Sequence, residues 1–133
     1  MDIEKDKLIE ELVSEFPFLK STCLYEVPEG WLKTFFRDLC QEMQDMLVRH
    51  NCLDGYKVTQ TKEKYGTLRW YDNGIPEDAW DEYMDIQNKY ERISWHTCCH
   101  CGEKATKISQ GWISPWCDEC THLINSTFKD LKD

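Results

Sequence analysis

The chain has 133 residues, with 25 acidic and 16 basic side chains, a formal net charge of −9 and a mean hydropathy of −0.68. That length predicts one ordinary domain, or a small one with an appendage. The acidic balance argues against a broad grip on a phosphate backbone, which takes clustered Lys and Arg, and no apolar run approaches the roughly 18 residues of a membrane span.

Residues 3 to 16 place Ile3, Leu8, Ile9, Leu12, Val13 and Phe16 at near-helical spacing, and Pro17 closes the run. This predicts a short amphipathic helix, followed by an irregular crossing over residues 18–28. Leu32, Phe35, Phe36, Leu39, Met43, Met46 and Leu47 then repeat at i, i+3, i+4 and i+7, which predicts one continuous helix of more than four turns. Arg49 and His50 suit its C-terminal end, and Asn51 and Gly55 offer stopping points.

Tyr56 to Tyr71 reads as a β-hairpin. A three-residue loop with Gly66 left-handed pairs Glu63 with Thr67 and places Tyr56, Val58, Leu68 and Trp70 on one face. A two-residue loop needs Tyr65 at positive φ and splits that apolar set. The first register is therefore expected, with Lys57, Thr59, Thr61, Arg69 and Tyr71 on the opposite face and Lys62 and Lys64 near the tip. Asp72-Asn73-Gly74 makes a turn, and Pro76 opens a further helix to about Ser94. Its apolar side is expected to carry Ala79 or Trp80, then Tyr83, Met84, Gln87, Tyr90 and Ile93. Asp78, Asp81, Glu82 and Asp85 form an acidic stripe, which is either a solvated face or a dock for a basic partner.

Cys98/Cys101 and Cys117/Cys120 form two CxxC pairs fifteen residues apart, the first followed by Gly102. Two such turns facing each other place four thiolates around one ion, with a hairpin between them. A zinc ribbon is the expected reading, with Lys104 to Ser109 and Trp112 to Trp116 as strands around Gln110-Gly111; iron fits the same four-sulfur geometry. A closing helix from Asp118 would turn Leu123, Ile124, Phe128 and Leu131 inward. Cys23, Cys40, Cys52 and Cys99 have scattered spacings that do not suggest disulfides. His96, His100 and His122 flank the ribbon as surface or supporting residues, because four thiolates already close a tetrahedral shell. With the acidic start at Asp2, Glu4 and Asp6, which lacks a signal-peptide pattern, the expected location is the cytoplasm.

Charge is distributed unevenly. Residues 1–55 and 72–133 each carry six basic and twelve acidic side chains, whereas residues 56–71 carry four basic and one acidic. Lys62, Lys64, Arg69 and Tyr71, with Trp112 nearby, can hold a phosphate-bearing ligand by charge and stack a base on an aromatic. Alternatively, the hairpin cations pair with the acidic helices or protect strand edges. No HExxH, GxSxG or phosphate-cradling glycine loop occurs, so no catalytic residues are expected.

Gly30-Trp31, the hairpin motif Val58-x-Gln60-x-Lys62-Glu63-Lys64-Tyr65-Gly66-x-Leu68-Arg69-x-Tyr71, and the ribbon from Ser94 to Cys120 together resemble a group of small uncharacterised phage and prophage proteins. The likeness covers roughly residues 30 to 121. It departs at Tyr65 and Thr67, where that group usually has Phe and often Gly. The resemblance implies a phage-like origin and a role during infection, in the host cytoplasm. The resulting expectation is an α+β fold of amphipathic helices packed on a small antiparallel hairpin, with a C-terminal four-cysteine zinc ribbon and a final helix. Residues 1–95 and 96–133 would form its two parts within one compact unit. The expected function is non-enzymatic binding of a host protein or action on a defence or signalling pathway. The alternative is a nucleotide or nucleic-acid binder, a ligand sponge that uses the basic-aromatic hairpin.

Overall fold

The structure, a computed structural model, describes residues 3–132; Met1, Asp2 and Asp133, the ends of the two expected parts, lie outside them. Its architecture is α+β: helices pack on a two-stranded hairpin, and a small three-stranded antiparallel sheet follows near the C-terminus. No helix among the described residues is long and apolar enough to cross a membrane.

Helix α1, Ile3–Glu15, buries Leu12 and packs Leu8, Ile9 and Val13 at the margin of the core, while Ile3 stays in water. Pro17 has no amide hydrogen to continue the helix. It opens a 3-10 turn, Pro17–Leu19, that buries Phe18 and Leu19. The expected long helix is broken. Glu29–Leu32 forms a short α2, and α3 runs from Phe36 to Arg49. The break accompanies a tight contact: the Gly30 amide donates to the Cys99 carbonyl at 2.9 Å, and the Thr34 hydroxyl takes the Gly30 carbonyl at 2.6 Å. The apolar pattern still holds through the break, and Phe35, Phe36, Leu39, Met43, Met46 and Leu47 are all buried.

Asn51 stops α3 as expected, at φ 54. The amides of Asn51 and Cys52 return to the carbonyls of Val48 and Leu47, a Schellman closure of the helix end.

The hairpin corrects the expected register. Strand β1, Lys57–Lys64, pairs with β2, Thr67–Asn73, through Lys64 opposite Thr67. Its loop is therefore the two residues Tyr65 and Gly66, both at positive φ (54 and 87), as the right-handed strand twist favours. A β-bulge between Val58 and Gln60 then resets the alternation, so Val58 and Thr61 both point inward with Leu68 and Trp70. Thr61, expected outside, is buried and shares a hydrogen bond with the Thr22 hydroxyl at 2.9 Å. At the open end of the hairpin, Asp72 accepts from the Tyr56 hydroxyl, the Trp70 indole and the Tyr83 hydroxyl.

Helix α4, Trp80–Trp95, lies along β2 after a 3-10 turn at Glu77–Ala79. Its buried side is Tyr83, Ile86, Tyr90 and Ser94, with Ala79 just before it. This shifts the expected face: Trp80 is half exposed, Met84 and Ile93 are marginal, and the unforeseen Ser94 accepts the Leu68 amide at 2.9 Å. A hydroxyl is required there because β2's outer edge needs an acceptor, not a methyl group.

The expected final helix is absent. Asp118–Leu123 makes only a 3-10 turn, and Phe128–Asp130 becomes strand β5. It pairs with β3, Lys107–Ser109, whose other neighbour is β4, Pro115–Trp116. So short a terminal segment gains more from completing a sheet edge than from an isolated helix, whose nucleation is costly. Leu123 and Ile124 remain exposed, and Phe128 meets the Trp116 ring edge-on.

A Cβ at Gly30 would lie 2.2 Å from the Cys98 carbonyl oxygen, whereas one at Gly55 would meet nothing within 4 Å. Gly30→Ala is expected to lower stability by about 1–3 kcal/mol through overpacking. Gly55→Ala should change it by less than about 0.5 kcal/mol. Urea denaturation of the two variants measures the difference.

Candidate metal centre and the hairpin face

The CxxC spacing does what its geometry requires. Cys98 and Cys101 straddle a turn closed by the Gly102 amide to the Cys98 carbonyl (3.1 Å), and Gly102 takes φ 86. Cys117 and Cys120 form a second turn, with the Cys120 amide on the Cys117 carbonyl at 3.2 Å. The four sulfurs all lie within 4.8 Å of one another, close enough to hold a metal ion. A tetrahedron with metal–sulfur bonds of about 2.3 Å has edges of about 3.8 Å, and the Cys101 and Cys117 sulfurs are 3.5 Å apart. Cys98, Cys117 and Cys120 are buried and Cys101 half-buried, under a cover that includes Trp116 and Phe128.

Electrostatics sharpens the need for a cation. Burial raises the Cys98 pKa, but the backbone N–H groups of Cys101, Cys117 and His100 outweigh it and bring the thiol down to about 7. Burial and the neighbouring sulfurs push Cys101 and Cys120 upward. Four thiolates in this volume repel one another, and a divalent ion lets all four ionise together. Cys99, by contrast, is pushed up to about 12 by burial and then by the Cys98 charge, and it lies outside the cluster. Its contribution is its backbone: the amide donates to the Pro115 carbonyl and the carbonyl accepts from Gly30. His96, His100 and His122 are not members of the cluster.

Two contacts fasten the metal loops to the helical body. The Trp31 indole, buried completely, donates to the Thr97 carbonyl at 2.9 Å beside the Gly30 contact. From the other side Glu63 of β1 accepts the Trp112 indole at 3.1 Å, the Ser114 hydroxyl at 2.9 Å and the Gly66 amide at 3.0 Å. Sequence reasoning gave Glu63 no role. Its only local signal is that it is the one acid in the basic island.

The candidate ligand residues divide between two places. Cross-strand pairing sets Lys62 directly opposite Arg69, Lys64 opposite Thr67 and Tyr71 opposite Gln60, so Lys62, Lys64, Arg69 and Tyr71 share the outward face. Trp112 does not join them. It is 78 % exposed, hangs from Glu63, and lines a separate cleft with Tyr25, Pro28 and His100.

The outward cations also contradict the alternative in which they pair with the acidic helices. Arg37, Arg49, Lys89 and Lys107 each bond a carboxylate, whereas Lys57, Lys62, Lys64 and Arg69 form no ion pair among the described residues. Lys64 instead sits 5.6 Å from the centre of the Tyr65 ring. Arg69 Nε is shielded from solvent without a hydrogen-bond acceptor. The acidic stripe of α4 is partly committed: Glu82 bonds both Arg49 and His50, tying α4 to the end of α3.

No protein-family model, curated protein or solved structure matches the chain.

Cys117→Ser should lose the metal and destabilise the fold by at least about 4 kcal/mol, as removal of a structural metal does. Cys99→Ser should keep one metal per chain. Native mass measurement reads both outcomes. Acidification should release the ion from the wild type, since protons compete for the four sulfurs.

Proposed function

We propose that this chain is a non-enzymatic, zinc-stabilised binding protein of phage type that acts in the host cytoplasm on a host protein or a defence or signalling pathway. The observation that carries this reading is the clustering of four cations, with a single acid turned inward, in the sixteen residues of the hairpin of a chain of net charge −9, Lys62, Lys64 and Arg69 sharing one face. With acids in such excess, charges kept apart from them on one rigid face suit an anionic partner. The first partner to consider is an acidic segment of a host protein. The metal fixes the framework, because four sulfurs fill a tetrahedral shell. The likeness of the hairpin and ribbon motifs to phage proteins supports the setting.

A second reading, a nucleotide or nucleic acid on the same face, is favoured by Tyr71. It is 46 % exposed and stands two residues from Arg69 on the same side of β2. A ring beside a guanidinium suits a base carrying a phosphate.

Like charges directly opposite on paired strands are destabilising. Lys62→Glu turns the Lys62/Arg69 pair into an attractive one, so the variant should gain about 0.2–1 kcal/mol in stability. It should also lose binding. Affinity capture of a purified host partner, with and without the substitution, measures the second effect, and thermal unfolding the first. Capture undiminished by Lys62→Glu, or turnover of a substrate by the wild type, would sink the proposal.

A further inference from the structure

Beside the Lys62/Arg69 pair, β2 and α4 enclose a cleft of about 250 Å³ lined in part by Arg69, Tyr71, Trp80, Asn88 and Glu91. Four observations converge on it. Arg69 lines the cleft with a guanidinium that forms no ion pair among the described residues. Lys62 stands opposite Arg69 on the facing strand, outside the lining of the cleft, and adds positive charge to its surroundings. Trp80 and Tyr71 supply two aromatic rings that are 50 % and 46 % exposed, large apolar faces in water where a planar ligand would lie. The Trp80 ring is held in place by Tyr83, with centroids 5.3 Å apart.

Size and charge select among anionic ligands. At about 250 Å³ the cleft lies just below the roughly 300 Å³ at which ligand pockets begin, so a small molecule would stand partly out of it and a strand would not fit. A long polyanion would also meet the net charge of −9. The amide of Asn88 can both donate to and accept from a base edge. Glu91, a poor neighbour for phosphate, is a good acceptor for ribose hydroxyls.

We infer that the groove between β2 and α4 binds a mononucleotide, with its phosphate on Arg69 and its base against Tyr71 and Trp80. This rests on the second reading of the hairpin face and names its ligand class.

The test is a titration of the metal-loaded full chain, followed by NMR, with the four common ribonucleoside 5′-monophosphates, inorganic phosphate and adenosine as separate probes. At least one monophosphate should shift resonances of Arg69 and of the Trp80 indole and saturate. Phosphate and adenosine alone should bind about tenfold more weakly or worse. Arg69→Gln should weaken the nucleotide about tenfold and Trp80→Ala about fivefold, both with unchanged metal content. No shift with any monophosphate at millimolar concentration overturns the inference, as does equal affinity for phosphate alone or unaltered binding by Arg69→Gln. If nucleotides fail while Lys62→Glu still abolishes capture of a macromolecular partner, the groove assignment falls and the broader binding reading stands. If both fail, both fall.

Discussion

A backbone amide and a backbone carbonyl hold the helical body and the metal loops at contact distance. Gly30 approaches Cys99 so closely that its hydrogen bond is 2.9 Å and a side chain at residue 30 would strike the Cys98 carbonyl. Only glycine permits this approach. The consequences spread in both directions. On the helical side, the chain turns at Lys33–Phe35 and divides what the apolar pattern would make one helix. On the metal side, the carbonyls of Thr97 and Cys99 are satisfied by Trp31 and Gly30, which removes the freedom the first CxxC turn would otherwise have. The four sulfurs, close enough to hold one metal ion, join the first CxxC turn to the second, which carries Trp116 and the β4 edge.

Glu63 closes the loop from the opposite side. One carboxylate collects two donors from the Trp112–Ser114 segment and one from the Gly66 turn. It therefore belongs to the inward face of the hairpin, while the cations flanking it in sequence, Lys62 and Lys64, face outward. Alternation separates charges that are neighbours along the chain. This explains how one acid within a basic island leaves the cations without a partner: it is turned away from them and already occupied. The outward face consequently keeps its full positive charge within an acidic molecule.

Much of the architecture was legible because it rests on local pattern. The buried side of α3 follows from apolar spacing alone, and the four sulfurs follow from paired CxxC turns. The Asn51 stop follows from left-handed chemistry. What could not be read depends on partners distant in sequence. Glu63 meets residues 49 and 51 positions away, and Ser94 is buried only because β2's edge needs an acceptor 26 positions away. Strict alternation has no place for an extra residue, so the bulge near Thr59 leaves no mark in the apolar pattern, which favours a three-residue loop instead. The terminal strand was missed for a related reason: Phe128 and its neighbours have helical spacing, but the open edge of β3 decides their form. Trp112 parts from the cations because it hangs from Glu63 on the inward face of the hairpin, whereas Lys62, Lys64 and Arg69 face outward.

The Trp31–Thr97 bond spans 66 positions of sequence. On the ribosome, at about 5–20 residues per second, the α2 turn emerges several seconds before the carbonyl it must meet. It emerges longer still before Cys120 completes the set of four sulfurs. The Trp31 indole therefore lacks this acceptor until residue 97 has been made, although Phe35, the ring it packs on, is made directly after it. A metal at the four sulfurs, once Cys120 is made, would lock the loops that carry that acceptor.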